Sequence, residues 1–117
     1  NNHSTTVELL LKHKANTEAT NNDGVTALIL AVVHSHSTVV ELLLKYKPNI
    51  EAADNDGMTA LIWAAYKDNS AVVELLLKHK ASIEAADNNG NTALILAVSN
   101  NHSTTVELLL KHKASIE

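Results

Sequence analysis

Cysteine, arginine and phenylalanine are all absent from this chain, and each absence excludes something. Without cysteine there can be no disulfides, thiolate metal sites or thiol catalysis, and the redox compartment leaves no mark. Without arginine, the nine basic residues are all lysine. The planar fork that grips phosphates and base edges is missing, and with a formal net charge of −4 nucleic acid is a poor partner. Aromatic residues make up 3% of the chain, so any core must be built from Leu, Ile, Val and Ala. No apolar run approaches the ~20 residues that span a bilayer, and no basic flank leads into an apolar stretch near the start. Neither membrane insertion nor a signal peptide is read from this, and the expected setting is intracellular, in the cytoplasm.

What is present is repetition. The stretch NNHSTTVELLLKHKA at Asn1–Ala15 returns unchanged at Asn100–Ala114. The only three glycines, Gly24, Gly57 and Gly90, are evenly spaced, since 57 − 24 and 90 − 57 are both 33. In that register the chain divides into a partial unit over 1–20, full units over 21–53 and 54–86, and a last unit over 87–117, all one array across 1–117. A fixed period of this size marks a stack of units that bury themselves against one another, which suits small aliphatic residues.

Each full unit opens on a turn signal, NDG at Asn22–Gly24, NDG at Asn55–Gly57 and NNG at Asn88–Gly90. Glycine takes positive φ without a steric penalty, and Asn or Asp tolerates it. Thr26, Thr59 and Thr92 follow as expected N-caps, their hydroxyls accepting a backbone N–H from the first helical turn. A short Ala-rich helix then reads ALILAV, ALIWAA or ALILAV. Polar breaks at His34–Ser37, Lys67–Ser70 and Asn100–Ser103 separate it from a second helix, VVELLLKYK, VVELLLKHK or TVELLLKHK. Val40, Leu43 and Leu44 have the i, i+3, i+4 spacing of an inward stripe. Glu41–Lys45, Glu74–Lys78 and Glu107–Lys111 stand in the favourable i, i+4 order.

This pattern resembles the ankyrin repeat, a unit of a β-turn and two antiparallel helices marked by Thr-Pro-Leu-His-x-Ala-Ala. Here the signature stands as TALILAV, TALIWAA and TALILAV, followed by VELLL and by A-(N/S)-I-E or its near match. The resemblance covers the whole chain and implies an all-α solenoid of stacked helix-turn-helix units with β-turn or hairpin loops between them. Departures are visible. The family proline is Ala27, Ala60 and Ala93, and the family histidine is Ile29, Ile62 and Ile95, so apolar packing must replace a polar link. The glycine that ends the second helix is Lys14, Lys47, Lys80 and Lys113, each of which would hold a left-handed conformation at roughly 1 kcal/mol relative to glycine. The start at Asn1 falls between two helices, as in a piece of a longer or an engineered array, and end-to-end association is expected.

Catalytic and metal chemistry find little footing. The histidines form two ladders, His3/His36/His102 and His13/His79/His112, but packed helices lie about 8–10 Å apart, whereas zinc needs ligand atoms ~2.0–2.1 Å from one ion. His34 and His36 would give two ligands and no third. In a calcium-loop reading of DNDGMTALIWAA, Ala52 and Trp63 would fall where carboxylates are required. The sequons at Asn2 and Asn101 read as products of the repeat, the KHK and KYK clusters as solvated helix ends, and Trp63 as a core filler. No catalytic residue, metal or cofactor is assigned.

The resemblance implies a non-enzymatic module that binds another protein through its concave face and turn tips. Carried over by position, the tip residues are Asn22, Asp23, Val25, Asn55, Asp56, Met58, Asn88, Asn89 and Asn91. On the first helix and its end they are Val33, His34, Tyr66, Lys67, Ser99 and Asn100. The aligned units agree along their helices yet differ at Val25/Met58/Asn91, Val33/Tyr66/Ser99 and His34/Lys67/Asn100. A partner surface would vary in this way, and so would an unconstrained one. Met58 and Tyr66 are the best anchors, and Asp23, Asp54, Asp56 and Asp87 make the tips acidic, which suits a basic or polar epitope. The alternative is a spacer or self-associating array segment without a specific ligand.

Overall fold

The computed structural model of the chain describes residues 20–46 and 48–116. Residues 1–19 of the partial unit, with His3, His13 and Lys14, and also Lys47, lie outside the described residues. Within them six helices follow in pairs: α1 (Ala27–Val33) and α2 (Ser37–Lys45), α3 (Ala60–Tyr66) and α4 (Ser70–Lys78), α5 (Ala93–Ser99) and α6 (Ser103–Ile116). The first helices stack in the row α1, α3, α5 and the second helices in the row α2, α4, α6.

Local chemistry starts and stops each short helix. The hydroxyls of Thr26, Thr59 and Thr92 accept the backbone N–H of Ile29, Ile62 and Ile95 at 3.2, 3.3 and 3.2 Å. Each first helix ends on a left-handed residue, Ser35, Asp68 or Asn101, with φ of 58°, 56° and 59°. The bonds are those of a Schellman close: Asp68 N–H reaches Ala65 O at 3.2 Å and Asn69 N–H reaches Ala64 O at 2.9 Å. Small polar residues tolerate that conformation better than the aliphatic residues around them. The Asn69 side chain then caps α4 by accepting Val72 N–H at 3.3 Å.

Between units the chain makes a tight turn closed by antiparallel bridges, Ala53 with Thr59 and Ala86 with Thr92. In the middle turn Gly57 N–H bonds Asp54 O at 2.9 Å, and Asp54 N–H bonds Met58 O at 3.1 Å. Gly57 at φ +80° supplies the left-handed step this requires. It also has no room for a side chain, because a Cβ there would collide with the Asn88 side chain.

The core is one continuous aliphatic cluster. Alanines Ala60, Ala64, Ala65, Ala93 and Ala97 are fully buried, which lets α3 and α5 approach closely, while Val72, Val73, Leu76 and Leu109 fill the second row. Full burial of one such Val or Leu side chain contributes about 1.5–3 kcal/mol. Ile29 and Ile62, standing where the family motif has histidine, are each 1% exposed, so apolar packing takes the place of the polar link in those two units, whereas Ile95 in the last unit is 44% exposed.

The four lysines read as helix stops divide. Lys80 is left-handed, with φ 71°, and Ala81 N–H returns to Leu76 O at 3.0 Å. Lys113 is not a stop: α6 runs through it to Ile116. The physical reason is that Lys, His and Ala all continue a helix readily, so the words KHKA contain no breaker. After Lys80 the buried Ala81 and Ile83 hold the chain down on the stack. Nor do Glu41–Lys45 and Glu74–Lys78 close as ion pairs within 4 Å. One ion pair spans units, Lys113 Nζ to Glu84 Oε2 at 2.7 Å.

Candidate functional site

The turns are joined to one another before they offer anything to a partner. Asn55 N–H donates to Asp23 O at 2.9 Å and Asn88 N–H to Asp56 O at 3.0 Å. The Asn55 side chain donates to Asn22 O at 3.0 Å and the Asn88 side chain to Asn55 O at 2.9 Å. Two of the anticipated contact residues, Asn55 and Asn88, therefore carry the stacking of the tips. Each turn is also braced from within. Asp54 Oδ1 accepts the N–H groups of Asp56 and Met58 at 3.0 and 2.9 Å. Asn21 and Asp87 do the same in their own turns.

Behind the tips, between the middle and last units, lies an open groove of about 380 Å3. Asp56, Met58, Trp63 and Tyr66 line it from the middle unit, and Asp87, Asn88, Asn89 and Leu96 from the last. Five of these, Asp56, Met58, Tyr66, Asn88 and Asn89, belong to the set anticipated from sequence. Trp63 and Tyr66 meet edge to face, ring centroids 5.8 Å apart at 82°. The Trp63 indole N–H donates to Asp54 Oδ2 at 2.9 Å, so both oxygens of that carboxylate are engaged within the unit. Met58 is half-buried, and Tyr66 is 46% exposed.

The other anticipated residues lie apart from this groove. His34 lines a separate apolar hollow with Ala27, Leu30, Ala31, His36, Val39 and Leu43, where the His34 and His36 rings stack at 5.9 Å. Val25 and Val33 pack against the core. Asn22 and Asp23 are exposed at the first tip, Asn91 is half-buried in the last turn, and Lys67 and Ser99 are exposed. Asn100 bonds its own helix through Leu96 O at 2.9 Å.

Trp63 and Leu96 are the groove residues that the sequence reading left out, while Asp87 entered it only as one of the acidic tip residues. Trp63 does touch the core, but it is half-buried and forms groove wall as well as filler. Its signal was available: the matching residues in the sister units are Leu30 and Leu96, and an indole N–H calls for a polar partner that a core cannot supply.

Among the described residues no three His, Asp or Glu side chains gather as metal ligands would, and no helix is long and apolar enough to cross a membrane. His102 has a packing role, its Nδ1–H donating to the Ala65 carbonyl at 3.0 Å across the unit boundary. Beside it the fully buried Thr105 donates to Asp68 at 3.0 Å.

Comparison with known proteins gives one family. The model for ankyrin repeats, in three copies, matches residues 1–54 and 47–117. A search of curated proteins finds no match.

Proposed function

The chain belongs to the ankyrin-repeat family, whose units generally serve as protein-interaction modules and are typically non-enzymatic, and on that footing we propose that it binds a partner protein through the concave side of the array. The groove between the middle and last units is the centre of that surface, and the turn tips are its rim. One observation carries the reading. Positions at which otherwise matching units differ, Met58 (Val25, Asn91), Trp63 (Leu30, Leu96) and Tyr66 (Val33, Ser99), converge on a single groove. Packing alone gives no reason for the middle unit to place a thioether and two aromatic rings side by side at the surface. Large, stiff or adaptable side chains of this kind are the anchors of protein interfaces.

The test is selection of peptides from a random displayed library on the immobilised chain, with a Met58→Ala/Tyr66→Ala variant alongside. Peptides that bind the parent should lose roughly tenfold or more on the folded variant, since hot-spot truncation removes at least ~2 kcal/mol. Equal binding to both would remove the groove from the interface.

A second reading is favoured by a different observation. Ile95, Val98 and Leu110 are 44%, 60% and 50% exposed, although their counterparts Ile62, Ala65 and Leu77 are 1%, 0% and 9% exposed. A further unit laid on this face would bury it as α3 and α4 are buried, so the chain can also stack end to end. Sedimentation over rising concentration, with Ile95→Glu/Val98→Glu as control, decides it: a monomer at every concentration ends the reading.

A further inference from the structure

The groove's chemistry narrows what the partner must bring, given the recognition reading above. Its floor and walls are apolar, from Met58, Trp63, Tyr66 and Leu96, and its polar residues are two carboxylates and two amides, from Asp56, Asp87, Asn88 and Asn89, with no lysine among them. At about 380 Å3 it sits near the small end of ligand-sized hollows, with room for one long side chain. The two units also treat their turn aspartates differently. Asp54 has Oδ1 tied to backbone N–H groups and Oδ2 tied to the Trp63 indole. Asp87 has the same two backbone bonds to Oδ1, but the residue matching Trp63 is Leu96, which has no N–H to give. Among the described residues no side chain donates to Asp87 Oδ2. The groove therefore holds one carboxylate oxygen whose counterpart is bonded in the neighbouring unit, together with the exposed carboxylate of Asp56, beside two aromatic rings.

We infer that this groove receives the guanidinium of an arginine side chain on the partner. Anions are excluded by the two carboxylates. A neutral apolar side chain would leave Asp87 Oδ2 and Asp56 facing desolvation without compensation. Between the two cations, guanidinium is flat and weakly hydrated, lies against an aromatic ring and donates a fork of N–H groups to a carboxylate in the same pose. An ammonium is a compact, strongly hydrated charge that does one or the other. The methylene stem of arginine covers Met58 and Leu96. The chain contains no arginine of its own, so no guanidinium within it competes for the site.

The sister units supply variants that keep the fold. Asparagine already stands at the places matching Asp56 and Asp87, as Asn89 and Asn21, and Asn21 makes the same two turn bonds through its Oδ1 at 2.9 and 3.0 Å. Asp56→Asn/Asp87→Asn thus removes charge and leaves the turns braced, which circular dichroism and the melting temperature verify. The probe is the capped pentapeptide Gly-Gly-Arg-Gly-Gly, with its lysine and citrulline analogues, titrated onto the whole chain. Trp63 is the only tryptophan, so its indole N–H resonance and its fluorescence report on the groove alone.

Saturable shifts with the arginine peptide are expected, about fivefold to tenfold weaker with citrulline and with the double variant, and weaker in ~0.5 M salt. Citrulline matching arginine, or a double variant that binds equally, overturns the proposal, and lysine matching arginine overturns the guanidinium assignment. Library peptides that need Met58 and Tyr66 but ignore both carboxylates leave the recognition reading standing while arginine falls. Library peptides indifferent to Met58 and Tyr66 bring down both.

Discussion

The middle unit and the last unit are written almost alike and live differently. Ile62 and Ile95 hold the same place in ALIW and ALIL, behind the same threonine cap, yet one is 1% exposed and the other 44%. Leu77 and Leu110 differ in the same direction, 9% against 50%. Interior and surface are thus not properties of a unit in this fold. A neighbour confers them, because each unit buries one face on the unit before it and offers the other to the unit after it.

Substitution at the paired isoleucines should expose the difference most sharply. Ile62→Ala is expected to lower stability by about 2–5 kcal/mol, as truncation in a closed core does, and Ile95→Ala by under about 1 kcal/mol. Urea unfolding of both variants measures this, and similar losses would break the comparison. The turn glycines come next. Gly57→Ala and Gly90→Ala both force alanine into left-handed backbone, at about 1–2 kcal/mol. Only Gly57 also meets a neighbour's side chain, while a Cβ on Gly90 has nothing within 4 Å. The Gly57 variant should therefore fall further by at least about 1 kcal/mol, since the Cβ crowds both the Asn88 side chain bonded to Asn55 and the Asn88 backbone N–H bonded to Asp56.

The threonine caps supply the opposite control, since a cap acts within its own helix. Thr59→Ala and Thr92→Ala should each cost about 1 kcal/mol, and thermal unfolding should find the two nearly equal. Smallest of all is Lys113→Ala. Its ion pair with Glu84 has side chains 36% and 64% exposed, and pairs in that setting are worth at most ~1 kcal/mol. A change in melting temperature within error at both low and high salt is expected.

These pairs also mark where reading the sequence succeeds. Turns, caps and the heads of helices depend on residues a few places apart, so Gly24, Gly57 and Gly90 and the three capping threonines were legible at once. The helix stop at lysine was not. The words LLLKHKASIE occur twice, and Lys80 ends a helix where Lys113 continues one. Identical letters cannot encode that difference; it comes from what lies against them. The groove was half legible for the same reason. Met58 and Tyr66 could be found because they depart from their sister units. Asp87 was legible only as an acidic tip residue, because the openness of its second oxygen rests on an indole that its own unit lacks. Trp63 was visible as a departure, but its bond to Asp54 joins residues nine apart across a turn and a helix start, and only the folded turn brings them together.

The ladder of turn asparagines has a consequence for how such a chain can change length. Each rung joins a residue to one 33 places earlier, and it asks only for an asparagine on one side and a carbonyl on the other. Units are therefore exchangeable parts. Excising 54–86 as a block would bring Asn88 to the place of Asn55, facing the Asn22 carbonyl, with Asp87 heading the turn as Asp54 had done. The array would close up with its joints intact. It would also lose Met58, Trp63 and Tyr66 together, so loss of that one unit removes the proposed recognition groove while leaving a shorter solenoid.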